Sequence, residues 1–339
     1  MSELFNKDYL VRAGYYRQTM EETVLPWLKE KENVSMVPGY EGRPLYCVSY
    51  AAEDPVATVM IVHGFTENAY KYAELIWSLL HLRFSVIAFD QRGHDRSWRS
   101  EGIPHPSVTH VDRFSDYVSD LEIVCNTFSP KPSQPFFVFA HSMGGAVTAL
   151  FLEQHPDTFS AAVLSSPMIA PHTGGVPLPI ASAVCVAARV LGKQKKNPFF
   201  MKPYSGPEDF ATSCATDPER FAWYDAVKAS RTDFRNSIPS YQWTYEALHV
   251  TERILAPGTP EKIACPVLLF SADQDSSVLP EPQETFIKMV PDGKQIRVPG
   301  SRHEIFRSTD EVLFPWWHQV VVFYAENASR FRLKGGLSQ

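Results

Sequence analysis

Buried strands stand out along the chain as short, nearly continuous apolar runs. Such runs indicate strands that are covered on both faces, as in a parallel sheet. Most of them are followed by a segment with apolar residues at spacings of three and four, which is typical of a helix with one buried face. The predicted strands cover residues 56–65, 84–90, 135–142, 160–167, 265–271 and 294–300. Their alternation with helices predicts an α/β fold with a mostly parallel, doubly wound sheet.

The alternation of strands and helices is interrupted once. Between about residues 169 and 256 the sequence has helical patches and prolines but no clear buried strand. We therefore predict a core formed by residues 1–168 and 257–339, with a mainly helical cap or lid formed by residues 169–256. An antiparallel hairpin is predicted ahead of the first buried strand, and the polar tail after Asn327 is predicted to be mobile.

Composition and charge narrow the possible functions. The 339 residues are 44% hydrophobic and 21% charged, as in an ordinary globular protein. The net charge of −6 gives no sign of the excess of basic residues that is typical of nucleic-acid-binding proteins. The five cysteines are scattered and form no metal-binding motif, so we expect no metal and no cofactor. The N-terminus lacks the apolar segment of a signal peptide and no apolar run is long enough to span a bilayer, which predicts a cytoplasmic protein.

The stretch "FVFAHSMGGAV" (137–147) places a serine where a predicted strand turns into a helix. Small residues at Ala140, Gly144 and Gly145 permit a tight turn with a strained backbone, which would project the Ser142 hydroxyl from the sheet. Amides at the helix start can also face developing negative charge. The pattern alone is weak, because it arises by chance about once in a few chains of this length. The alternative is a turn of small residues that serves only tight packing.

Other chemically capable residues also follow predicted strands. In chain order they are His63, Gly64, Asp273, Asp275 and His303. The carboxyl ends of parallel strands lie at one edge of the sheet, where ligands bind in open α/β folds. A serine, a histidine and a carboxylate that converge there can perform nucleophilic acyl transfer.

Five motifs, in this order, resemble those of the α/β-hydrolase family: "VHGFTENA", "FDQRGHDRS", "FAHSMGGAV", "FSADQDSSV" and "GSRHEIF". Within the family the chain is most similar to the lysophospholipase and monoacylglycerol lipase branch. Residues 216–248 resemble the cap of the bacterial inner-membrane lysophospholipases. The resemblance covers about residues 34–325 and implies the α/β-hydrolase fold with an inserted, mainly helical cap. Two positions depart from the family pattern, since Ala140 and Asp95 both stand where glycine is usual.

The resemblance implies that Ser142 is the nucleophile, His303 the base and Asp275 the acid that orients the base. Asp273 competes for the last role. The family pattern G-x-x-D-x-x-V favours Asp275, and Asp273 is then expected to be a loop residue that caps local amides.

The resemblance also implies an oxyanion hole built from the backbone N–H groups of Phe65 and Met143. We expect His63 to form a structural hydrogen bond rather than to take part in catalysis. We expect His141 to be a packed neighbour of the serine rather than the catalytic base. Besides the catalytic residues, a second group is expected to contact substrate: His63, Gly64, His141, Phe199, Phe200 and Trp243.

These features predict a serine hydrolase that cleaves carboxylic esters of single-chain lipids through an acyl-enzyme, with a lysophospholipid as the favoured substrate. The alternatives are a monoacylglycerol lipase, a broad-specificity carboxylesterase and, remotely, a non-catalytic binding protein of the same fold. Residues 177–196 combine an apolar stretch with a basic end. We expect these residues either to pack within the cap or to make peripheral contact with the inner face of a membrane.

Overall fold

The computed structural model describes residues 9–336, so residues 1–8 and 337–339 of the predicted core lie outside the described part. An eight-stranded sheet forms its centre. In chain order, the strands of this sheet are β1 (Glu32–Pro38), β2 (Pro44–Tyr50), β3 (Ala57–Val62), β4 (Phe84–Phe89), β6 (Phe136–His141), β7 (Ala161–Ser165), β9 (Val267–Gln274) and β10 (Gly293–Arg302). The other two strands, β5 (Val108–Thr109) and β8 (Ile238–Pro239), pair with each other in a separate two-stranded sheet. The strand order is β1-β2-β4-β3-β6-β7-β9-β10.

The direction of the strands confirms the predicted doubly wound sheet. β2 runs antiparallel to both of its neighbours, whereas the pairs from β4 across to β10 are all parallel. The predicted hairpin is the β1–β2 pair, in which Glu32 lies opposite Tyr50 and Pro38 opposite Pro44.

Helices cover both faces of the sheet. They are α1 (Tyr16–Thr19), α2 (Leu25–Lys31), α3 (Ala73–His81), α4 (Ser115–Phe128), α5 (Met143–Gln154), α6 (Leu178–Val190), α7 (Pro218–Ser230), α8 (Tyr241–Ile254), α9 (Pro280–Met289) and α10 (Asp310–Gly336). α3 and α10 share one apolar core with the sheet, and α4, α5 and α9 share a second core with its opposite face. β3 contributes Val59 and Ile61 to the first core and Met60 and Val62 to the second, which explains its unbroken apolar run.

The C-terminal helix corrects the prediction of a mobile tail. α10 continues past Asn327 to Gly336. Ala328 is buried in the same core as Trp316 and Tyr324. The helix therefore still packs on the core one residue beyond Asn327, where the apolar pattern in the sequence has ended. A single small residue is too weak a signal to be recognised in the sequence.

The segment between β7 and β9 holds α6, α7 and α8. α8 directs Trp243, Ala247, Val250 and Ile254 into the core, at spacings of four, three and four residues. The segment also holds one strand that was not recognised in the sequence, since β8 lies there and pairs with β5. With only two residues, β8 is too short to show a period in the sequence.

Candidate active site

The loops that carry the predicted site lie at the point where the strand order reverses. From β3 the chain goes to β4 on one side and later to β6 on the other. The loops after β3 and β6 therefore diverge and leave a crevice at the carboxyl edge of the sheet. Phe65 follows β3 and Ser142 follows β6, while Asp275 and His303 come directly after β9 and β10.

Ser142 has the strained backbone expected of a strand-to-helix elbow, with φ 51° and ψ −119°. Such a conformation costs a non-glycine residue about 1–3 kcal/mol and persists only where the surroundings impose it. Here the Ser142 amide donates to the Ser165 carbonyl at 3.1 Å. Its own carbonyl accepts from the amides of Ala146 at 3.2 Å and Met168 at 2.8 Å, so both peptide groups are fixed.

Glycines beside Ser142 let the backbones approach closely. A Cβ atom on Gly144 would lie 2.2 Å from the Val62 carbonyl oxygen, and one on Gly145 would lie 2.5 Å from the Pro167 Cβ. Both distances are far inside van der Waals contact. The elbow therefore requires glycine at both positions, as the sequence pattern suggested.

Gly144→Ala is expected to destabilise the fold by about 3 kcal/mol or more, because the backbone of β3 blocks the added methyl group. Urea unfolding would measure the loss. Gly14→Ala is the matched control, since a Cβ at Gly14 meets no atom within 4 Å, and it should change stability by less than about 0.5 kcal/mol. Equal stability of the two variants would contradict the steric explanation.

A continuous series of hydrogen bonds joins the three predicted catalytic side chains. Ser142 Oγ lies 2.8 Å from His303 Nε2, and His303 Nδ1 lies 2.8 Å from Asp275 Oδ2. The other carboxylate oxygen, Asp275 Oδ1, accepts from the amides of Ser277 at 2.8 Å and Val278 at 3.1 Å. The serine and histidine are both buried. The carboxylate thus fixes the imidazole with Nδ1 as donor and leaves Nε2 as the acceptor that faces the serine hydroxyl.

Asp273 lies elsewhere and has other partners. It is part of β9 rather than of a loop, which corrects that expectation, and its Oδ1 accepts from Arg297 Nε at 2.7 Å. It also accepts a long hydrogen bond of 3.4 Å from the Gly300 amide. Of the two aspartates, only Asp275 reaches His303.

Asp275 is stabilised as an anion. Burial by itself raises the pKa of this carboxyl group. The hydrogen bond and the charge of His303, together with the two backbone amides, outweigh burial, so the pKa of Asp275 is lowered. An ionised carboxylate at neutral pH can stabilise an imidazolium, as the proton-transfer steps of acyl transfer require.

Two backbone amides are available to bind a developing oxyanion. Within residues 9–336, neither the Phe65 nor the Met143 amide donates to another protein group. Met143 is the first residue of α5, so its amide has no partner within the helix and points outward from the helix start. These are the two groups that the family resemblance implies for this role.

Both predicted histidine neighbours use their rings within the protein. His63 Nδ1 lies 2.7 Å from the Gly64 carbonyl oxygen, and His63 Nε2 accepts from the Gln91 amide at 2.8 Å. His141 is likewise engaged at both nitrogens, by Glu67 and by the His303 carbonyl oxygen. Since both rings are buried and paired, the prediction that their side chains contact substrate is corrected, and the structural roles favoured for them agree with the structure.

The remaining predicted contact residues are divided between the site and the surface. Phe199 and Phe200 are 85% and 66% exposed and pack edge-to-face on each other, so the structure places them at the surface rather than at the site where contact with substrate was expected. Trp243 is buried, and its ring centroid lies 4.0 Å from that of Phe65. The Gly64 amide donates to Glu67 at 2.7 Å, so it shapes the loop before Phe65.

A buried charged network beside the site was missed by the sequence analysis. Glu67 accepts from Lys71 Nζ at 3.0 Å, and Lys71 also donates to Glu304 at 2.6 Å. Arg307 donates to the other oxygen of Glu304 at 2.6 Å. These two cations lower the pKa of Glu304 to about 2 despite its burial, which by itself raises it. The sequence did contain a signal for this network, because Glu67 and Lys71 follow an apolar strand and Glu304 is next to His303.

Two broader features concern metals and membranes. Among residues 9–336, no three His, Cys, Asp or Glu side chains are grouped in a way that could hold a metal ion. In the same part of the chain, no helix has the combination of length and apolar character needed to cross a bilayer.

Comparison with known proteins places the chain in a family. Residues 53–310 match the sequence profile of the Hydrolase_4 family, described as Serine aminopeptidase, S33. The chain belongs to the Hydrolase_4 family. This membership, together with the relatives named below, confirms the predicted α/β-hydrolase fold and the predicted branch, and the relatives indicate that the chain is an ester-hydrolysing enzyme.

Individual relatives of this Hydrolase_4 protein match 80% or more of its length. Lysophospholipase L2 of Escherichia coli (strain K12) is 30% identical, over 95% of this chain and 96% of the relative. Monoacylglycerol lipase of Mycolicibacterium smegmatis is 26% identical, over 80% of this chain and 89% of the relative. Among solved structures, Paleococcus ferrophilus monoacylglycerol lipase superimposes with a TM-score of 0.64 at 23% identity, over 84% of this chain and 99% of that chain, which shows the shared fold.

Proposed function

We propose that this protein is a serine hydrolase that cleaves the carboxylic ester of single-chain lipids, with lysophospholipids as the favoured substrates. The observation that carries the proposal is the series of hydrogen bonds from Ser142 through His303 to Asp275. Beside it lie the amides of Phe65 and Met143, which have no acceptor in the described part of the chain. A nucleophile, a base, an orienting acid and an anion site are the four parts that acyl transfer to water requires.

The proposed reaction proceeds through an acyl-enzyme. His303 Nε2 takes the proton from Ser142 Oγ as that oxygen attacks the ester carbonyl, and Asp275 stabilises the resulting imidazolium. The amides of Phe65 and Met143 bind the negative oxygen of the tetrahedral intermediate. When the C–O bond breaks, His303 returns the proton to the departing alcohol. Water then attacks the acyl-enzyme by the same route, which releases the fatty acid and restores the serine.

A polar cavity of about 380 Å³ supports a substrate with a charged head group. Its lining includes Thr66, which follows the proposed oxyanion donor, and Glu304, which follows the proposed base. The cavity is therefore lined in part by the residues that follow the proposed oxyanion donor and the proposed base in the sequence. Its walls carry both signs of charge, from Asp225 and from the ion pair of Lys228 with Glu208, and a zwitterionic head group would compete for these charges.

Substrate preference is tested by measuring fatty-acid release from three esters of one acyl length: a lysophospholipid, a monoacylglycerol and a p-nitrophenyl ester. We expect the highest kcat/KM for the lysophospholipid. The relative from Mycolicibacterium smegmatis makes monoacylglycerol hydrolysis the second candidate function. A higher kcat/KM for the monoacylglycerol would favour that candidate, and similar values for all three would favour a broad carboxylesterase.

We also propose that α6 and the loop after it contact a membrane surface from the cytoplasmic side. Only Cys185 and Ala188 of α6 are buried, whereas Ile180 is 56% and Val190 82% exposed. The exposed pair Phe199 and Phe200 lies on the same segment, and a basic stretch, Lys193 to Lys196, lies between them and α6. Exposed apolar side chains beside lysines match the chemistry of an anionic lipid surface.

The double variant Phe199→Ser/Phe200→Ser is expected to lower partitioning onto anionic vesicles by about tenfold or more, because two aromatic rings no longer enter the lipid. Co-sedimentation with phosphatidylglycerol-containing vesicles measures the bound fraction. Met36→Ser is the matched control, since Met36 is 53% exposed on the edge strand β1, and it should partition like the wild type. Equal binding of the double variant and the wild type, or no binding of either, would refute the membrane proposal.

A further inference from the structure

Glu67 and His141 connect the two loops that form the proposed site. Glu67 Oε2 accepts from the Gly64 amide at 2.7 Å, directly before the proposed oxyanion residue. The same oxygen lies 3.1 Å from His141 Nδ1, and His141 Nε2 lies 3.2 Å from the carbonyl oxygen of His303. One pair of side chains therefore spans from the loop after β3, past the elbow, to the loop after β10.

Hydrogen-bond chemistry fixes the charge of this pair. Glu67 also accepts from Tyr72 Oη at 2.6 Å and from Lys71 Nζ at 3.0 Å, which are donors to a carboxylate anion. Both ring nitrogens of His141 face oxygens, one of a carboxylate and one of a carbonyl, and a neutral imidazole can donate through only one nitrogen. The arrangement is satisfied when His141 is an imidazolium and Glu67 is ionised.

The electrostatic surroundings agree with this protonation. Burial by itself lowers the pKa of His141, but the charge and the hydrogen bond of Glu67 and the charge of Glu304 raise it overall, against an opposing effect of Lys71. Burial raises the pKa of Glu67, whereas Lys71 and His141 lower it well below its usual range. The ring of His303 is the other titratable group that faces His141, at 4.8 Å between centroids.

We propose that Glu67 and His141 are positioning residues that hold the oxyanion loop and the loop of the catalytic base at a fixed separation. The proposal rests on the proposed serine-hydrolase function. Neither side chain contacts the reacting atoms in this role. Glu67 fixes the peptide group before the Phe65 amide, and His141 fixes the backbone of His303, so both parts of the transition-state environment depend on one buried ion pair.

The expected kinetic effect follows from where the pair acts. The oxyanion hole and the base interact most strongly with the transition state, whereas a lipid chain binds elsewhere. Loss of the pair should therefore lower kcat and leave KM nearly unchanged. Glu67→Gln is expected to lower kcat by about 10- to 100-fold with KM within about threefold, as for other partners that orient reacting groups. His141→Gln should have a similar effect.

The experiment uses hydrolysis of p-nitrophenyl butyrate, a generic ester, so an incorrect choice of lipid substrate would not affect it. The double variant Glu67→Gln/His141→Gln should lose no more than about threefold beyond the worse single variant, because the pair acts as one unit. Glu74→Gln is the matched control. Glu74 is a buried glutamate that pairs with Arg220 at 3.2 Å, and its loss should leave kcat within about threefold.

The outcomes separate the positioning role from a structural one. Folded variants with reduced kcat, unchanged KM and non-additive losses support it. Wild-type kcat in Glu67→Gln, losses that multiply in the double variant, or a failure of both single variants to fold would overturn it, the last because the pair would then serve the fold. An inactive wild type would instead contradict the proposed function.

Discussion

Ser142→Ala is expected to lower kcat for ester hydrolysis by about 10³-fold or more, the usual consequence of deleting the nucleophile of a triad. Alanine removes the only atom of Ser142 that reaches His303 and leaves the polypeptide otherwise unchanged. The residual rate would reflect substrate binding and the oxyanion hole alone. Stopped assays of fatty-acid release at saturating substrate measure the effect directly.

Ser166→Ala provides the matched control for this variant. Ser166 is also buried and also has a positive φ, 44°, but its hydroxyl has no partner in the described part of the chain. Its replacement should leave kcat within about threefold of the wild-type value. A Ser142→Ala enzyme with near-normal kcat would refute the assignment of the nucleophile, whatever the control shows.

Asp275→Asn is expected to lower kcat by about 10³- to 10⁴-fold, as the same change does in other triads. The amide has nearly the shape of the carboxylate but cannot stabilise the imidazolium of His303, and it permits the wrong tautomer of the ring. KM should change little, because the carboxylate acts through His303 rather than on the substrate. Steady-state kinetics of the purified variant separates kcat from KM.

Asp273→Asn tests the competing assignment under the same conditions. Asp273 pairs with Arg297 on the partly exposed edge of the sheet, so its loss should change kcat by less than about threefold. If Asp273→Asn instead had the larger effect, the orienting acid would have to be reassigned.

The parts of the site that the sequence predicted combine a local motif, weak by itself, with a position at the end of a predicted strand. Ser142 lies between small residues at a strand end, and the need for Gly144 is explained by the approach of Val62. Buried parallel strands are nearly unbroken apolar runs, so their order and ends could be predicted, and with them the edge where His303 lies.

The parts that were missed depend on contacts between distant segments. Phe199 and Phe200 are aromatic, but their apolar character does not reveal whether they face a pocket or solvent, and the structure exposes them. The partnership of Glu67 with His141 joins residues 74 positions apart, and no local pattern specifies it. Buried ion pairs require exact tertiary placement, which propensity and periodicity do not encode.

The central claim is that Ser142 is the nucleophile activated by His303, and covalent labelling tests it most directly. The wild-type protein is treated with a fluorophosphonate, digested, and mapped by mass spectrometry. We predict one adduct per chain, on the peptide that contains Ser142, and none in the Ser142→Ala or His303→Ala variants. An adduct on another residue, or no adduct on folded wild-type protein, would contradict the account.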